Sequence, residues 1–275
     1  MFWTRLASGI VLVILLGAGF YIGGPFMAVM FCLISVVGMY EFYRATGILE
    51  KDKKISGLTL PGYLGCLFTY AYEYAFKGDI TYLALIPVFV CILMLAVFVL
   101  TFPKFESRQV VYAFFGYCYI ALMLSFVYLT RTLPDGKLLI WLVIFATWVC
   151  DTFAYLTGMA FGKHKLAPVL SPKKSIEGSV GGVVFSALFA GVYGYIMKNY
   201  LDADYNAALA FAVCCALGAI VSQIGDLAAS AFKRNFDVKD YGSLIPGHGG
   251  IMDRFDSMIF TAPMIYIVAV IFTGI

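Results

Sequence analysis

The sequence carries little charge for its length. Asp, Glu, Lys and Arg together make up 13% of the 275 residues, whereas hydrophobic residues make up 62%. Soluble domains are about half apolar and about a quarter charged. This composition excludes a soluble globular domain and indicates a protein whose solvent is the lipid bilayer. The net charge of +3 also argues against nucleic acid as a partner, since nucleic-acid-binding domains concentrate more basic charge on one face.

Motifs of soluble metal and nucleotide sites are also missing. The seven cysteines form no CxxC pair and nearly all lie in apolar runs, so we interpret them as small apolar helix residues rather than as a metal or redox site. No segment matches the phosphate-binding pattern GxxxxGK[ST]. The apolar N-terminus resembles a signal peptide without a convincing cleavage site, and we expect it to be a retained first membrane span.

Apolar runs of about 20 residues, the length that crosses a bilayer as a helix, occur along the whole chain. Helices are expected because backbone polar groups in lipid must be paired within their own segment, and the runs lack the alternation of β-barrel strands. The sequence therefore predicts an all-α, polytopic transmembrane helix bundle of about nine spans: 6–22, 26–43, 58–76, 80–102, 109–130, 138–161, 178–197, 206–231 and 256–274.

Basic residues in the connecting segments predict the orientation of these spans. With the N-terminus in the cytoplasm, all but four of the 19 Lys and Arg residues fall on the cytoplasmic side, in agreement with the positive-inside rule. Two loops rich in charge, Gly and Pro, 162–177 and 232–255, then lie on that side. We expect residues 1–135 to be transmembrane scaffold and residues 136–275 to be the catalytic transmembrane region that carries both loops.

Acidic residues inside the predicted spans are unusual, because inserting one costs about 2.5–3.5 kcal/mol. Glu41 precedes Arg44 by three residues, so we interpret it as a solvated helix end. Glu73 lies among tyrosines and is interpreted as interfacial, without a role. Asp151 and Asp226 are the remaining two, and they are candidates for a functional site.

Asp226 and the pair Asp253 and Asp256 are expected to converge. The pair is spaced i,i+3 at the start of the last span, so both carboxylates share one helix face. The spans that carry Asp226 and the pair are neighbours and antiparallel. Carboxylate ligands without thiolates suit a hard divalent cation such as Mg²⁺. An ion pair of Asp226 with a nearby basic residue, such as Lys233 or Arg234, explains the same spacing equally well.

Basic residues accompany these acids in both charged loops. The second loop has a Gly/Pro-rich turn at 246–250 that leads into a helix N-terminus, which suits phosphate binding, and it is flanked by Lys233, Arg234, Lys239, His248 and Arg254. The first loop can hold anionic lipid head groups or a nucleotide triphosphate through Lys163, Lys165, Lys173 and Lys174. The alternative is that both loops are basic only because they face the cytoplasm.

Two segments resemble the CDP-diacylglycerol synthase (phosphatidate cytidylyltransferase) family. Residues 230–256, SAFKRNFDVKDYGSLIPGHGGIMDRFD, resemble the signature of that family at its fixed positions. Residues 151–178, DTFAYLTGMAFGKHKLAPVLSPKKSIEG, resemble a second block. The resemblance is strong from about residue 145 to about residue 260. Ala229 is a departure, because many members carry Glu there.

This resemblance implies an enzyme that makes CDP-diacylglycerol and pyrophosphate from CTP and phosphatidic acid, with Mg²⁺ as cofactor and one or two cations in the site. The metal-binding carboxylates that it implies are Asp226 and Asp253, with Asp256 in support. The catalytic and phosphate-contacting positions correspond to Lys233, Arg234, Lys239, Asp240, His248 and Arg254. The substrate-binding positions correspond to Asp151, Ser171, Lys173, Lys174, Glu177, Gly249 and Gly250.

Two other functions use similar residues. A transporter or channel also carries intramembrane acids, but it would need polar residues across the full membrane depth. A CTP-using lipid kinase would share the basic cytoplasmic loop without the full signature. The small size of the chain favours a bacterial plasma membrane, with the active site on the cytoplasmic side and membrane lipid around it, and the sequence leaves a homodimer open.

Overall fold

The computed structural model describes residues 2–49, 55–201, 205–247 and 249–274, with side chains from residue 7 onward. Within these residues the chain forms nine helical segments: α1 (Phe2–Ile22), α2 (Gly24–Ala45), α3 (Leu60–Ala75), α4 (Leu85–Leu100), α5 (Ser107–Thr132), α6 (Gly136–Phe161), α7 (Ile176–Tyr200), α8 (Ala207–Asn235) and α9 (Met252–Thr273). An antiparallel strand pair, β1 (Lys165–Ala167) and β2 (Ser171–Ser175), connects α6 to α7.

Helix length decides which of these segments can cross a bilayer. Six of the described segments, α2 and α5 to α9, are long and apolar enough to do so. Helices α3 and α4 have 16 residues each, about 24 Å at 1.5 Å per residue, whereas the hydrocarbon core is about 30 Å thick. The predicted all-α, multi-pass membrane fold is confirmed. The count of about nine crossings and the cytoplasmic N-terminus stay predictions, and the strand pair is an addition in the 162–177 loop.

Glycine breaks the helix between α1 and α2, where the sequence analysis also places a boundary. Gly23 and Gly24 have φ angles of 65° and 51°, in the left-handed region that glycine adopts without strain. Pro25 follows in the first turn of α2, where its missing N–H costs no helical hydrogen bond.

The chain divides into two compact units, and the chain passes between them more than once. The first unit comprises Met1–Tyr128 and Asn235–Phe255, and the second comprises Leu129–Arg234 and Asp256–Ile275. The predicted division at residue 135 separates a scaffold region from a catalytic region by function, not by compactness. It stays a prediction.

Several buried polar side chains form hydrogen-bonded pairs inside the first unit. The Ser35 and Tyr70 hydroxyls lie 2.9 Å apart, as do those of Thr69 and Tyr117. The Ser125 hydroxyl donates to Glu73 Oε1 at 2.6 Å, and Glu73 is fully buried. Helix packing therefore encloses the Glu73 carboxyl group, and its Oε1 has a hydrogen-bond partner in Ser125. Its interpretation as interfacial stays a prediction.

Glycines bring α6 and α7 into close contact in the second unit. A Cβ added at Gly182 would lie 2.8 Å from the Cys150 carbonyl oxygen, and one at Gly181 would lie 2.6 Å from Thr157 Cβ. Glycine at these positions therefore allows the two helix backbones to approach closely. Cys150 and the other six cysteines are free thiols, in agreement with their interpretation as apolar helix residues.

Candidate active site

In the first unit, the part of the 230–256 motif that precedes α9 forms a tight turn. Gly247 and Gly249 have φ angles of 79° and 86°, and the Ile245 N–H donates to the Gly249 carbonyl at 2.9 Å. Asp253, in the first turn of α9, closes this turn: its Oδ2 accepts from the Tyr241 N–H at 2.8 Å and the Gly250 N–H at 3.1 Å. One oxygen of this buried carboxylate is thus committed to holding the backbone.

Glu41, near the end of α2, also forms hydrogen bonds with this turn. Its Oε1 accepts from the Ile251 N–H at 3.1 Å, and its Oε2 accepts from the Met252 N–H at 2.8 Å. The residue is 4% exposed, so its interpretation as a solvated helix end is wrong. The available signal was the acid itself, because a carboxylate inside an apolar span needs a compensating partner.

Lys174 and Asp226 form an ion pair in the second unit. Strand β2 carries the lysine and α8 carries the aspartate. Their side chains are 28% and 27% exposed, respectively. The ion pair considered for Asp226 therefore exists, but with a partner from the first charged loop that spacing along α8 could not reveal.

Asp256 approaches Asp226 where α8 and α9 pack closely. A Cβ added at Gly225 would lie 2.9 Å from the Asp256 carbonyl oxygen, so glycine at this position allows the two helices to meet. Asp256 is 7% exposed, and the charges of Asp226, Lys233 and Asp151 all act on its carboxyl group. The second unit thus brings three of the predicted acids and two of the predicted lysines into one electrostatic cluster.

The polar start of α7 holds the strand pair in place. Ser175 is the N-cap, and its hydroxyl accepts from the Gly178 N–H at 3.1 Å. The Glu177 carboxylate accepts from the backbone N–H of Lys163 at 3.1 Å and of His164 at 3.2 Å, and it lies 2.6 Å from His164 Nδ1. Glu177 therefore closes the connection from α6, and its predicted contact with substrate stays a prediction.

Gln223 is a polar residue that the sequence analysis missed. It lies on α8 three residues before Asp226, and its amide nitrogen donates to the Ser179 carbonyl at 3.1 Å and to Cys150 Sγ at 3.5 Å. Its amide oxygen also accepts a short hydrogen bond from the Ser179 hydroxyl. These bonds fix α8 against α6 and α7 next to the ion pair. An amide in an apolar run was the only sequence signal.

The other predicted residues occupy different environments. Lys233 and Ser171 are half-buried, Gly250 is buried against Glu41, and Gly249 is half-buried. The exposed ones are Lys173, Arg234, Lys239, Asp240 and Arg254. His248 lies outside the described residues.

The donor atoms in the second unit fit a hard divalent cation. Asp226 and Asp256 supply carboxylate oxygens, and Mg²⁺ commonly takes one or two protein carboxylates together with substrate phosphates and water. In the part of the chain that the structure describes, no group of three or more Asp, Glu, His or Cys side chains is placed to hold a metal ion. The arrangement therefore suits a cation that arrives with, or is completed by, a phosphate-bearing substrate.

Comparison with known proteins shows what this chain is similar to. The Cytidylyltransferase family matches residues 3–272. The phosphatidate cytidylyltransferase of Bacillus subtilis strain 168 is 30% identical over 264 residues, 91% of this chain and 96% of that protein. That of Staphylococcus haemolyticus is 38% identical over 178 residues, 65% of this chain and 66% of the relative. That of Thermotoga maritima is 40% identical over 134 residues, 49% of this chain and 50% of the relative.

Proposed function

This chain belongs to the cytidylyltransferase family, and we propose that it transfers the cytidylyl group of CTP to phosphatidate, giving CDP-diacylglycerol and pyrophosphate. The names of its relatives support this reaction, and the apolar helices suit a substrate that resides in the bilayer. The observation that carries the proposal is the cluster in the second unit, where Lys174 pairs with Asp226 and Asp256 packs alongside.

The reaction is a displacement at the α-phosphorus of CTP. A phosphate oxygen of phosphatidate forms a new bond to that phosphorus, and the bond to the oxygen that bridges to the β-phosphate breaks. Pyrophosphate leaves with the bonding electrons. The nucleophile is already ionised near neutral pH, so the protein needs no strong general base. The main barrier is repulsion between two anionic substrates, which positioned positive charge lowers.

The residues of this chain supply that charge and hold the cation. We assign cation binding to Asp226 and Asp256, with Asp253 as the further carboxylate that the sequence predicts. A bound Mg²⁺ would neutralise phosphate charge on the α-phosphorus and the leaving group. Lys174 holds the Asp226 carboxylate in place through their ion pair. The remaining phosphate contacts are assigned to Ser171, Lys173, Lys233, Arg234, Lys239 and Arg254.

The proposed location follows from the substrates. CTP is a cytosolic nucleotide and phosphatidate lies in the membrane, so the site must open to both near the cytoplasmic surface. The excess of Lys and Arg in the loops that carry the proposed site supports this side of the membrane.

The test is an assay of purified protein with labelled CTP and phosphatidate, with Mg²⁺ and after chelation. We expect CDP-diacylglycerol and pyrophosphate only when a divalent cation is present. Asp226→Asn and Asp253→Asn should each abolish turnover while the protein still inserts into membranes, because an amide binds a hard cation much less strongly than a carboxylate.

Asp79→Asn is the matched control, because it removes an exposed carboxylate from the connection between α3 and α4. It should keep wild-type activity. Near-normal turnover of either site variant would contradict the assignment, and labelled phosphate on an alcohol acceptor would show a lipid kinase instead.

A further inference from the structure

Glu41 bonds a segment that lies more than 200 residues away in the sequence. Its carboxylate accepts hydrogen bonds from the N–H groups of Ile251 and Met252, which lie at the start of α9. The first N–H groups of a helix have no partner within the helix, and the positive end of the helix dipole favours a carboxylate. Glu41 thus satisfies the α9 N-terminus from another helix, with both carboxylate oxygens in use.

The turn before α9 is shaped around this carboxylate. A Cβ added at Gly242 or at Gly250 would lie within 2.6 Å of Glu41 Cδ, which is closer than atoms can approach. A larger residue at either position would therefore displace the Glu41 carboxylate from its place. This gives Gly250, a predicted substrate-binding residue, a definite structural reason to be glycine.

Asp253 is held by the same turn. Its Oδ2 accepts from Tyr241 and Gly250, and Gly250 is also the residue that packs on Glu41. The carboxylate of Asp253 is consequently oriented by a backbone segment whose position depends on Glu41. Loss of the Glu41 bonds would release Ile251 and Met252 and thereby loosen the segment that directs Asp253.

We propose that Glu41 is a positioning residue of the transferase, which fixes the backbone at Gly242 and at Gly250 to Met252 and thereby orients Asp253, one of the proposed cation ligands. The inference rests on the proposed function in one respect, namely that Asp253 binds the cation. Glu41 itself does not touch substrate; its contribution is the orientation of a ligand, and orienting partners of metal ligands typically contribute 10–100-fold in metal affinity or activity.

The test uses Glu41→Gln in the full-length protein. The amide nitrogen of Gln cannot accept the hydrogen bond that one carboxylate oxygen accepts, so one of the two N–H groups loses its acceptor. We expect kcat per folded protein to fall about tenfold or more, with little change in KM for phosphatidate. Mn²⁺ binding without nucleotide is expected to be weak in the wild type, because substrate phosphates complete the site. Measured by the loss of the free-ion electron paramagnetic resonance signal, it should weaken further by a similar factor in this variant.

Glu73→Gln is the matched control. It changes a second buried glutamate of the same unit, and Gln can still accept from Ser125. It should leave kcat and Mn²⁺ affinity unchanged. If Glu41→Gln folds poorly, Gly242→Ala tests the same contact, because the added methyl group displaces the Glu41 carboxylate without removing it. The same loss of Mn²⁺ affinity is expected.

Two results separate this proposal from a purely structural role and from the proposed function. If Glu41→Gln lowers only the melting temperature, and its folded fraction keeps wild-type kcat and Mn²⁺ affinity, Glu41 is not a positioning residue. If the wild-type protein makes no CDP-diacylglycerol, the proposed function fails, and Mn²⁺ affinity of the two Glu41-directed variants still decides whether Glu41 supports the cation site.

Discussion

Lys174 and Asp226 are each about a quarter exposed, and this partial burial sets the strength of their ion pair. A fully exposed pair contributes about 0–1 kcal/mol because water and salt screen it. Removing one partner of a fully buried pair costs about 3–5 kcal/mol, because it leaves an uncompensated charge. The pair therefore contributes to stability as well as to the orientation of Asp226.

Replacing Lys174 by Met should have two effects. We expect the free energy of unfolding to fall by about 1–2 kcal/mol, between those two limits, and turnover to fall at least tenfold because Asp226 loses its orienting partner. Thermal melting in detergent and the CTP assay measure the two effects.

Lys173→Met is the control for that change, because Lys173 is the exposed neighbour on the same strand. It should leave the melting temperature unchanged and raise KM for a phosphate-bearing substrate at most modestly. Equal melting temperatures of the two variants would show that the Lys174–Asp226 pair does not stabilise the fold.

The residues that sequence reasoning identified least well are those whose partners lie far away in the chain. Asp226 and Asp256 stand out in the sequence because of their chemistry and their motif. Glu41 and Gln223 do not, because their partners lie 210 and 44 residues away. Spacing along the sequence relates a residue only to neighbours on its own helix, so it predicted that Glu41 pairs with Arg44 at a solvated helix end. The cost of burying a carboxylate was the better guide.

At the scale of the helix, close packing of α6 on α7 depends on small residues that allow backbones to approach. Gly182 faces a backbone carbonyl, which cannot move aside as a side chain can. Since α6 leads into the strand pair that carries Lys174, this contact also supports the position of the site residues in the second unit.

Gly182→Ala should push these helices apart. We expect the free energy of unfolding to fall by about 1–3 kcal/mol, the usual cost of an overpacked contact, with a lower melting temperature in detergent. Gly191→Ala on the same helix is the control, because its Cβ would meet ordinary contacts at 3.4 Å. That change should be neutral or stabilising, since Ala favours helix over Gly by about 0.5–1 kcal/mol. A larger loss in Gly191→Ala would contradict this account.

Helix ends illustrate what apolar composition can and cannot predict. The predicted span 256–274 becomes α9 from Met252, and the predicted span 206–231 becomes α8 up to Asn235. In both, the helix continues for a further turn through charged residues, Asp253 and Arg254 in one and Lys233 and Arg234 in the other. A hydrophobicity rule ends a span where the apolar residues end. The helix continues because its polar turn has partners, such as Glu41 at the start of α9.

For the molecule as a whole, the family and the helical membrane fold were accessible from the sequence because both leave local signals. Apolar runs mark the helices, and residues 230–256 carry a long motif. The number of crossings is harder, because α3 and α4 are shorter than the bilayer core is thick. If this pair entered the membrane and returned without crossing, every later helix would keep its predicted side, since two crossings are lost together.

Labelling of introduced cysteines separates these two topologies. We place single cysteines at exposed positions in predicted outer segments, Asp79 and Lys198, and in predicted cytoplasmic segments, Lys104 and Lys165. A membrane-impermeant maleimide applied to intact cells should label the first two and not the last two, and inverted vesicles should give the opposite result. The unaltered chain measures background from the native cysteines, which are buried or half-buried in helices.

Labelling of Asp79→Cys from the cytoplasmic side alone would show that α3 and α4 do not cross. Labelling of Lys165→Cys from outside would overturn the orientation and, with it, access of cytosolic CTP to the proposed site.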